Sequence, residues 1–307
     1  LNWKKALKSI AKLRKGISLL ITLSVITAML ALMGVMFNYI SIAQKKAESK
    51  SAVIQANLLM KDLKDILDKQ LGKRVSKEKL KIIYSTPLII QSKDGALSLA
   101  ADCKPLLDRI NIAWLGLEDK EKYANRFNLA KNLFDQLSDQ AELRDGEMLF
   151  VMIKEYLNGY SGYFNISSYI KRKKFTISQS DFYKILNRYR FEADDKNVYK
   201  IKWDQYFTFA PLNKDLDGLD FDFLSKDLIT FLFDVDQNYV NENYSLGSMN
   251  EFLEGIGEEK DRYKWLFNSK LSTAMECTIT YGFRENNYVI KFNYIDKRIS
   301  SFEIQNI

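Results

Sequence analysis

The densest run of groups able to do chemistry is "NKDLDGLDFD", Asn213–Asp222. Asn213, Asp215 and Asp217, followed by Gly218, space hard oxygen donors two residues apart ahead of a glycine turn. That is the first half of a calcium loop of the EF-hand type. Where such a loop closes its coordination with a bidentate glutamate at the twelfth position, this sequence has Leu224. The spacing therefore argues for an irregular calcium site of oxygen ligands rather than a complete EF-hand, with Asp215, Asp217, Asp220 and Asp222 as donors. A plainer reading competes: Asp220 or Asp222 precedes a helix capped by Ser225, where negative charge is favourable in any case. Asp234 and Asp236 in "FDVDQN" could reach the same ion, but helix-exit roles account for them more simply.

Other chemistries are narrowed by what the chain lacks. It has no histidine, which excludes Ser-His-Asp and Cys-His nucleophilic catalysis and removes the commonest zinc ligand. Two cysteines, Cys103 and Cys277, have no metal-site spacing; in an exported body they form one disulfide or remain two buried thiols. Acid pairs such as Asp119 with Glu121, and Glu258 with Glu259, fall in first turns of predicted helices and need no catalytic role. Nothing marks a serine–lysine dyad. The run "YSGYFNISSYI" from Tyr160 reads as core, with tyrosines available for subunit contacts. The chain reads as a protein that associates rather than an enzyme.

Net charge is +7, but Lys4, Lys5, Lys8, Lys12, Arg14 and Lys15 supply all but one unit of it. The remainder is nearly neutral and lacks the electrostatic footprint of a nucleic-acid binder. The short run "KRKK", Lys171–Lys174, reads as a solvated loop or helix end.

The elements that position these groups begin at the N-terminus. From Ile17 through Gln44 no residue is charged, and about 20 apolar residues cross a bilayer core at 1.5 Å per residue. The basic block ahead of the span keeps the N-terminus cytoplasmic and places the body outside. Three readings compete: a plain signal anchor, a secretory signal cut near "SIAQ", or a cut at Gly16 that leaves the apolar run on the mature protein. The run exceeds the ~7–15 residues of a cleavable signal. Helical patterning continues beyond it. Val53, Ala56, Met60, Leu63, Leu67 and Leu71 recur on one face, with Lys50, Lys61, Asp62, Lys64, Asp65 and Asp68 mostly opposite. No proline interrupts Ile17–Leu71, and Gly72 takes the place of a helix C′ residue. The sequence predicts one helix over 17–71, about 80 Å long.

On these residues the chain resembles type IV pilin-like proteins: a short basic leader ending in glycine, then a long helix, apolar in its first half and two-faced in its second. The resemblance implies cleavage by a prepilin peptidase between Gly16 and Ile17 and N-methylation of Ile17. It also exposes a departure. The fifth mature position, a glutamate in most pilins, is Ile21. A carboxylate within the membrane costs ~2.5–3.5 kcal/mol on insertion scales and is tolerated when it pairs with the amino terminus of the subunit ahead. A subunit without it suits the leading position of a filament, as in the type II secretion minor pseudopilins of the GspK type.

Downstream, "LKIIYSTPLIIQ" and "ALSLAAD" read as strands, and "AMECTITYGF", "NYVIKFNYI" and "ISSFEIQNI" as a three-stranded meander. Between them helices are predicted over Lys120–Gln140, Gly146–Asn158, Asp181–Tyr189, Lys226–Asp234, Met249–Glu254 and Glu258–Asn268. Ser248 and Glu251 have capping-box spacing. This layout is similar to that of GspK, with "DCKPLLDRINIAWLG" and "DQYFTFAPLNKDLDGLDFDFLSKDLITFLFD" in the places of its conserved segments. It implies an α+β fold: a long transmembrane helix packed on a small antiparallel sheet, with a large helical insertion. The domains are then a leader over 1–16, the transmembrane half-helix over 17–44, the pilin-like helix and first strands over 45–112, the insertion over 113–270 and the completing strands over 271–307.

The function implied is that of a minor pseudopilin at the tip of a type II secretion or related competence pseudopilus, initiating or capping assembly. It would be a single-pass protein of the bacterial inner membrane with a periplasmic body. Its implied partners are other minor pseudopilins, the prepilin peptidase and the inner-membrane assembly platform, and calcium is its one implied cofactor. The alternative is a membrane-anchored periplasmic binding protein or enzyme.

Overall fold

The computed structural model describes residues 3–72, 74–91, 98–159, 175–212, 217–268, 271–283 and 286–306. The chain divides into two units, Leu1–Leu59 and Met60–Ile307.

One α-helix, α1, runs over Trp3–Leu71, beginning ahead of the expected start at Ile17. In the first unit the side chains from Ile21's neighbour Thr22 through Ala47 are exposed, and this is the one described helix long and apolar enough to cross a membrane. The buried stripe of α1 is Ala52, Ala56, Leu59, Leu63, Leu67 and Leu71. Val53, expected inside, is 38% exposed; the stripe keeps Ala56, Leu63, Leu67 and Leu71 of the expected face and takes Ala52 for Val53 and Leu59 for Met60. The helix ends as predicted. Gly72 adopts φ +64°, where a side chain would be strained, and its N–H returns to Asp68 O at 3.0 Å.

In the second unit, α2 covers Lys77–Ser85, where an extended run was expected. Ser76 accepts Lys79 N–H as N-cap, and Leu80, Ile83 and Tyr84 are buried at helical spacing. The cap and that stripe outweigh the β-branched Ile82–Ile83 pair, and the helix stops before the extended Thr86 that Pro87 demands. Strands β1 (Leu88–Gln91) and β2 (Ser98–Pro105) follow. Strands β5 (Met275–Phe283), β6 (Asn286–Ile295) and β7 (Arg298–Asn306) form the expected C-terminal meander. Together they make one antiparallel sheet in the order β1-β2-β5-β6-β7. Asp296 and Lys297, both at positive φ, make the two-residue β6–β7 turn, whose twist suits a hairpin.

Alternation sorts the sheet's faces. Ala101, Ile279 and Ile290 lie abreast, as do Cys103, Cys277 and Phe292, and all six are buried. Tyr294, on the same face, donates its hydroxyl to Asp68 of α1 at 2.5 Å, and Lys297 donates to Gly72 O at 3.0 Å. The apolar face thus meets the end of α1. The opposite face carries Asp102, Glu276, Thr278, Thr280 and Lys291.

Between β2 and β5 lies the helical body. A short parallel pair, β3 (Ile110–Asn111) with β4 (Phe207–Thr208), ties its halves together. Its helices are α3 (Ala124–Gln140), α4 (Gly146–Asn158), α5 (Gln179–Glu192), α6 (Trp203–Tyr206), α7 (Lys226–Phe233), α8 (Gln237–Asn243) and α9 (Met249–Ile256). One core joins Trp114, Phe134, Ile153, Phe182, Trp203 and Leu228. Two expectations fail here. Glu258–Asn268 holds only a 3-10 turn, Lys260–Tyr263, because Leu266 O accepts Leu219 N–H and Asn268 N–H donates to Leu219 O, which withdraws that backbone from a helix. Ser248 caps α9 without a side-chain bond to the helix; its hydroxyl donates to Ser245 O at 2.8 Å instead.

Candidate functional site

The carboxylate run singled out in the sequence lies at the root of the helical body. Asp215 and Asn213 lie outside the described residues. Asp217 pairs with the Arg126 guanidinium of α3 at 3.1 Å; Arg126 also donates to Trp265 O and lies over the Trp114 ring. Asp222 pairs with Lys77 at the start of α2 at 2.7 Å. Asp220 is 6% exposed and accepts the N–H of Asp222 at 3.3 Å. Burial first, then the neighbouring Asp222 and Asp108 carboxylates, push the Asp220 carboxyl up to about 7. Each described carboxylate of the run is thus either ion-paired or buried beside like charge. Among the described residues no three acidic, cysteine or histidine side chains form a group able to hold a metal.

Gly218 has a reason of its own. A Cβ there would lie 2.9 Å from Asn268 N and from Leu266 O, and Asn268 clasps it with 2.9 and 3.0 Å bonds to its N–H and C=O. The glycine permits backbone contact across Leu219 and Phe267, whatever a calcium loop would ask of it. Asp234 terminates α7 in the left-handed region, and Asp236 caps α8.

The same junction holds a pair that sequence reading passed over. Arg109 Nε donates to Asp108 at 2.7 Å and its Nη1 to Asp204 O at 2.6 Å. Burial raises the Asp108 carboxyl against the pull of Arg109. Asp108 O accepts Ser225 N–H, and Leu107 O accepts Asp220 N–H, so the chain leaving β2 is stitched to the start of α7. The tandem "DR" after Leu107 was the available signal, but nothing local says that it is buried.

Cys103 and Cys277 are directly opposed in β2 and β5 and are joined as a disulfide, S–S 2.01 Å. Gly16, Ile17 and Ile21 lie within α1. Lys171–Lys174 and Tyr160–Ile170 lie outside the described residues.

A long apolar helix whose end meets an antiparallel sheet, with a helical body inserted between two adjacent strands, defines a pilin-like α+β fold. No family model matches the chain, and no curated protein matches it. Among solved structures, a chain in the crystal structure of the GspK–GspI–GspJ complex from the type 2 secretion system of enterotoxigenic Escherichia coli superimposes with a TM-score of 0.55 at 12% identity. The match covers 85% of this chain and 99% of that one. The fold is that of a GspK-type pseudopilin.

Proposed function

We propose that this chain is a minor pseudopilin of a type II secretion or related competence system, and that it leads the pseudopilus. One observation carries the reading: a fold shared with a chain of a minor-pseudopilin complex over 85% of this sequence, on a chain whose α1 is apolar enough to cross a membrane. A prepilin peptidase would cut between Gly16 and Ile17 and methylate Ile17. The body would stand in the periplasm, and subunits of the GspI and GspJ kinds would lie alongside. Ile21 makes no demand on a subunit ahead, and a helical body inserted between β2 and β5 would hinder the stacking of one, so both features favour the leading place. The work is association, and no catalytic group is assigned.

The test is the mature N-terminus, read by mass spectrometry on protein from cells with an active peptidase. A chain starting at N-methylated Ile17 supports the reading. Retention of Leu1, or a start at Gln44, overturns it.

A further inference from the structure

The solvent side of α5 departs from the helix's own pattern. Its inner stripe is filled by Phe182, Ile185, Leu186 and Tyr189, all buried, and the outer side of such a helix should be polar. Phe191 nevertheless stands there 87% exposed, more than any described side chain of the apolar run of α1, where Tyr39 leads at 75%. Tyr183, two turns earlier, and Tyr199, just beyond the helix, are exposed as well. The Tyr199 hydroxyl donates to the side chain of Asn187, which lies between Tyr183 and Phe191 on the same side of α5. The three rings therefore share one surface, and a hydrogen bond holds one of them in place. Apolar side chains scattered singly need no explanation, but aromatic groups gathered on a polar face mark a contact surface, where aromatics and arginine are enriched.

Charge says what would cover it. Between Gln179 and Lys200 every acid is engaged within the chain. Asp181 pairs with Lys184 at 2.8 Å, Glu192 with Arg188 at 2.6 Å and Asp194 with Arg144 at 3.9 Å. Buried Asp195 accepts the N–H groups of Arg144 and Asn197, both at 2.9 Å. Arg190 is next to Phe191, and Lys196 and Lys200 flank the 3-10 turn that carries Tyr199. These three cations are exposed and have no ion-pair partner among the described residues. The surplus around the rings is thus positive, and a partner that meets it brings carboxylates. Glu192 and Asp194, exposed close by, would repel a uniformly anionic lipid or nucleic-acid surface, whereas a protein can set its charges between them.

We propose that this side of α5, with the turn after it, binds another protein at an apolar cleft that receives Phe191 and is rimmed by carboxylates facing Arg190, Lys196 and Lys200. The inference does not rest on the filament reading, since it uses no residue of α1.

The experiment expresses the full chain in the cells that naturally make it, with photoreactive benzoylphenylalanine in place of Phe191 or, as a control, of Ser85 on α2. A protein cross-linked from the first position and not from the second is purified, and calorimetry measures its affinity for the full wild-type chain in detergent micelles. Phe191→Ser should weaken binding at least about thirtyfold, the scale of an interface anchor. Arg190→Gln/Lys196→Gln/Lys200→Gln should weaken it about fivefold or more at low salt and less at high salt. All four side chains are exposed, so Tm should be unchanged in both variants. No cross-link from Phe191, a cross-link only to a second copy of this chain, or a partner bound equally well by either variant overturns the proposal. A cross-link to lipid or nucleic acid instead of protein does the same. So does a Tm lowered by several degrees in Phe191→Ser, which would mean that the ring packs within the chain.

Discussion

Asp220 gives the sharpest quantitative test. The unfolded chain titrates this carboxyl near the ordinary 3.8, whereas the folded protein holds it at about 7. Between those values the native state keeps a proton that the unfolded state has lost, so this group's contribution falls as pH rises through the window. The shift of about three units corresponds to about 4 kcal/mol at most, fully expressed above pH 7. Asp220→Asn removes the charge and keeps the oxygen that accepts Asp222 N–H. The assay is urea unfolding of the full chain in micelles, followed by tryptophan fluorescence, for both proteins from pH 4.5 to 8. At pH 4.5, already above the unfolded value, the variant should lead by only about 1 kcal/mol. At pH 8 the variant should be more stable by about 2–4 kcal/mol, several degrees in Tm for a body of this size. Taking the difference cancels titrations common to both proteins. A difference that does not change with pH, or a wild type ahead at pH 8, would refute the burial argument.

The remaining expectations are briefer. Cys103→Ala/Cys277→Ala opens a loop of 174 residues and should cost about 2–5 kcal/mol, read as a lower urea midpoint with unchanged secondary structure. Gly218→Ala places a methyl against Asn268 N and Leu266 O at 2.9 Å and should cost about 1–3 kcal/mol; an unchanged midpoint would mean that the contact relaxes freely. Because Arg126 and Lys77 already neutralise Asp217 and Asp222, adding EGTA should leave Tm unchanged; a fall of several degrees would show a calcium ion bound to the protein.

What the sequence disclosed depended on how local each determinant is. The C-terminal meander was legible because Tyr288, Ile290, Phe292 and Tyr294 alternate with polar neighbours, and α1 because charge is absent over 17–44 and Gly72 marks its end. Helix α2 was misread because Ile82–Ile83 and Pro87 look extended locally, while Ser76 and the burial of Leu80, Ile83 and Tyr84 decide otherwise. At the carboxylate run the spacing was real but the partners were distant. Arg126 comes from α3 and Lys77 from α2, and nothing within Asn213–Asp222 announces either. Leu266 and Asn268 were misread as helical for the same reason, since Leu219 claims their backbone from far along the chain.

The helical body leaves the sheet from Pro105 and re-enters at Met275, paired residues at one end of two adjacent strands. A load dragging that body away would peel β2 from β5 rung by rung, the direction in which a ladder of hydrogen bonds resists least. The bond between Cys103 and Cys277 sits two residues inside that opening. It acts as a rivet at the start of a seam: a tear can run past Lys104 and Glu276 and no further, and the strain passes into the whole sheet at once.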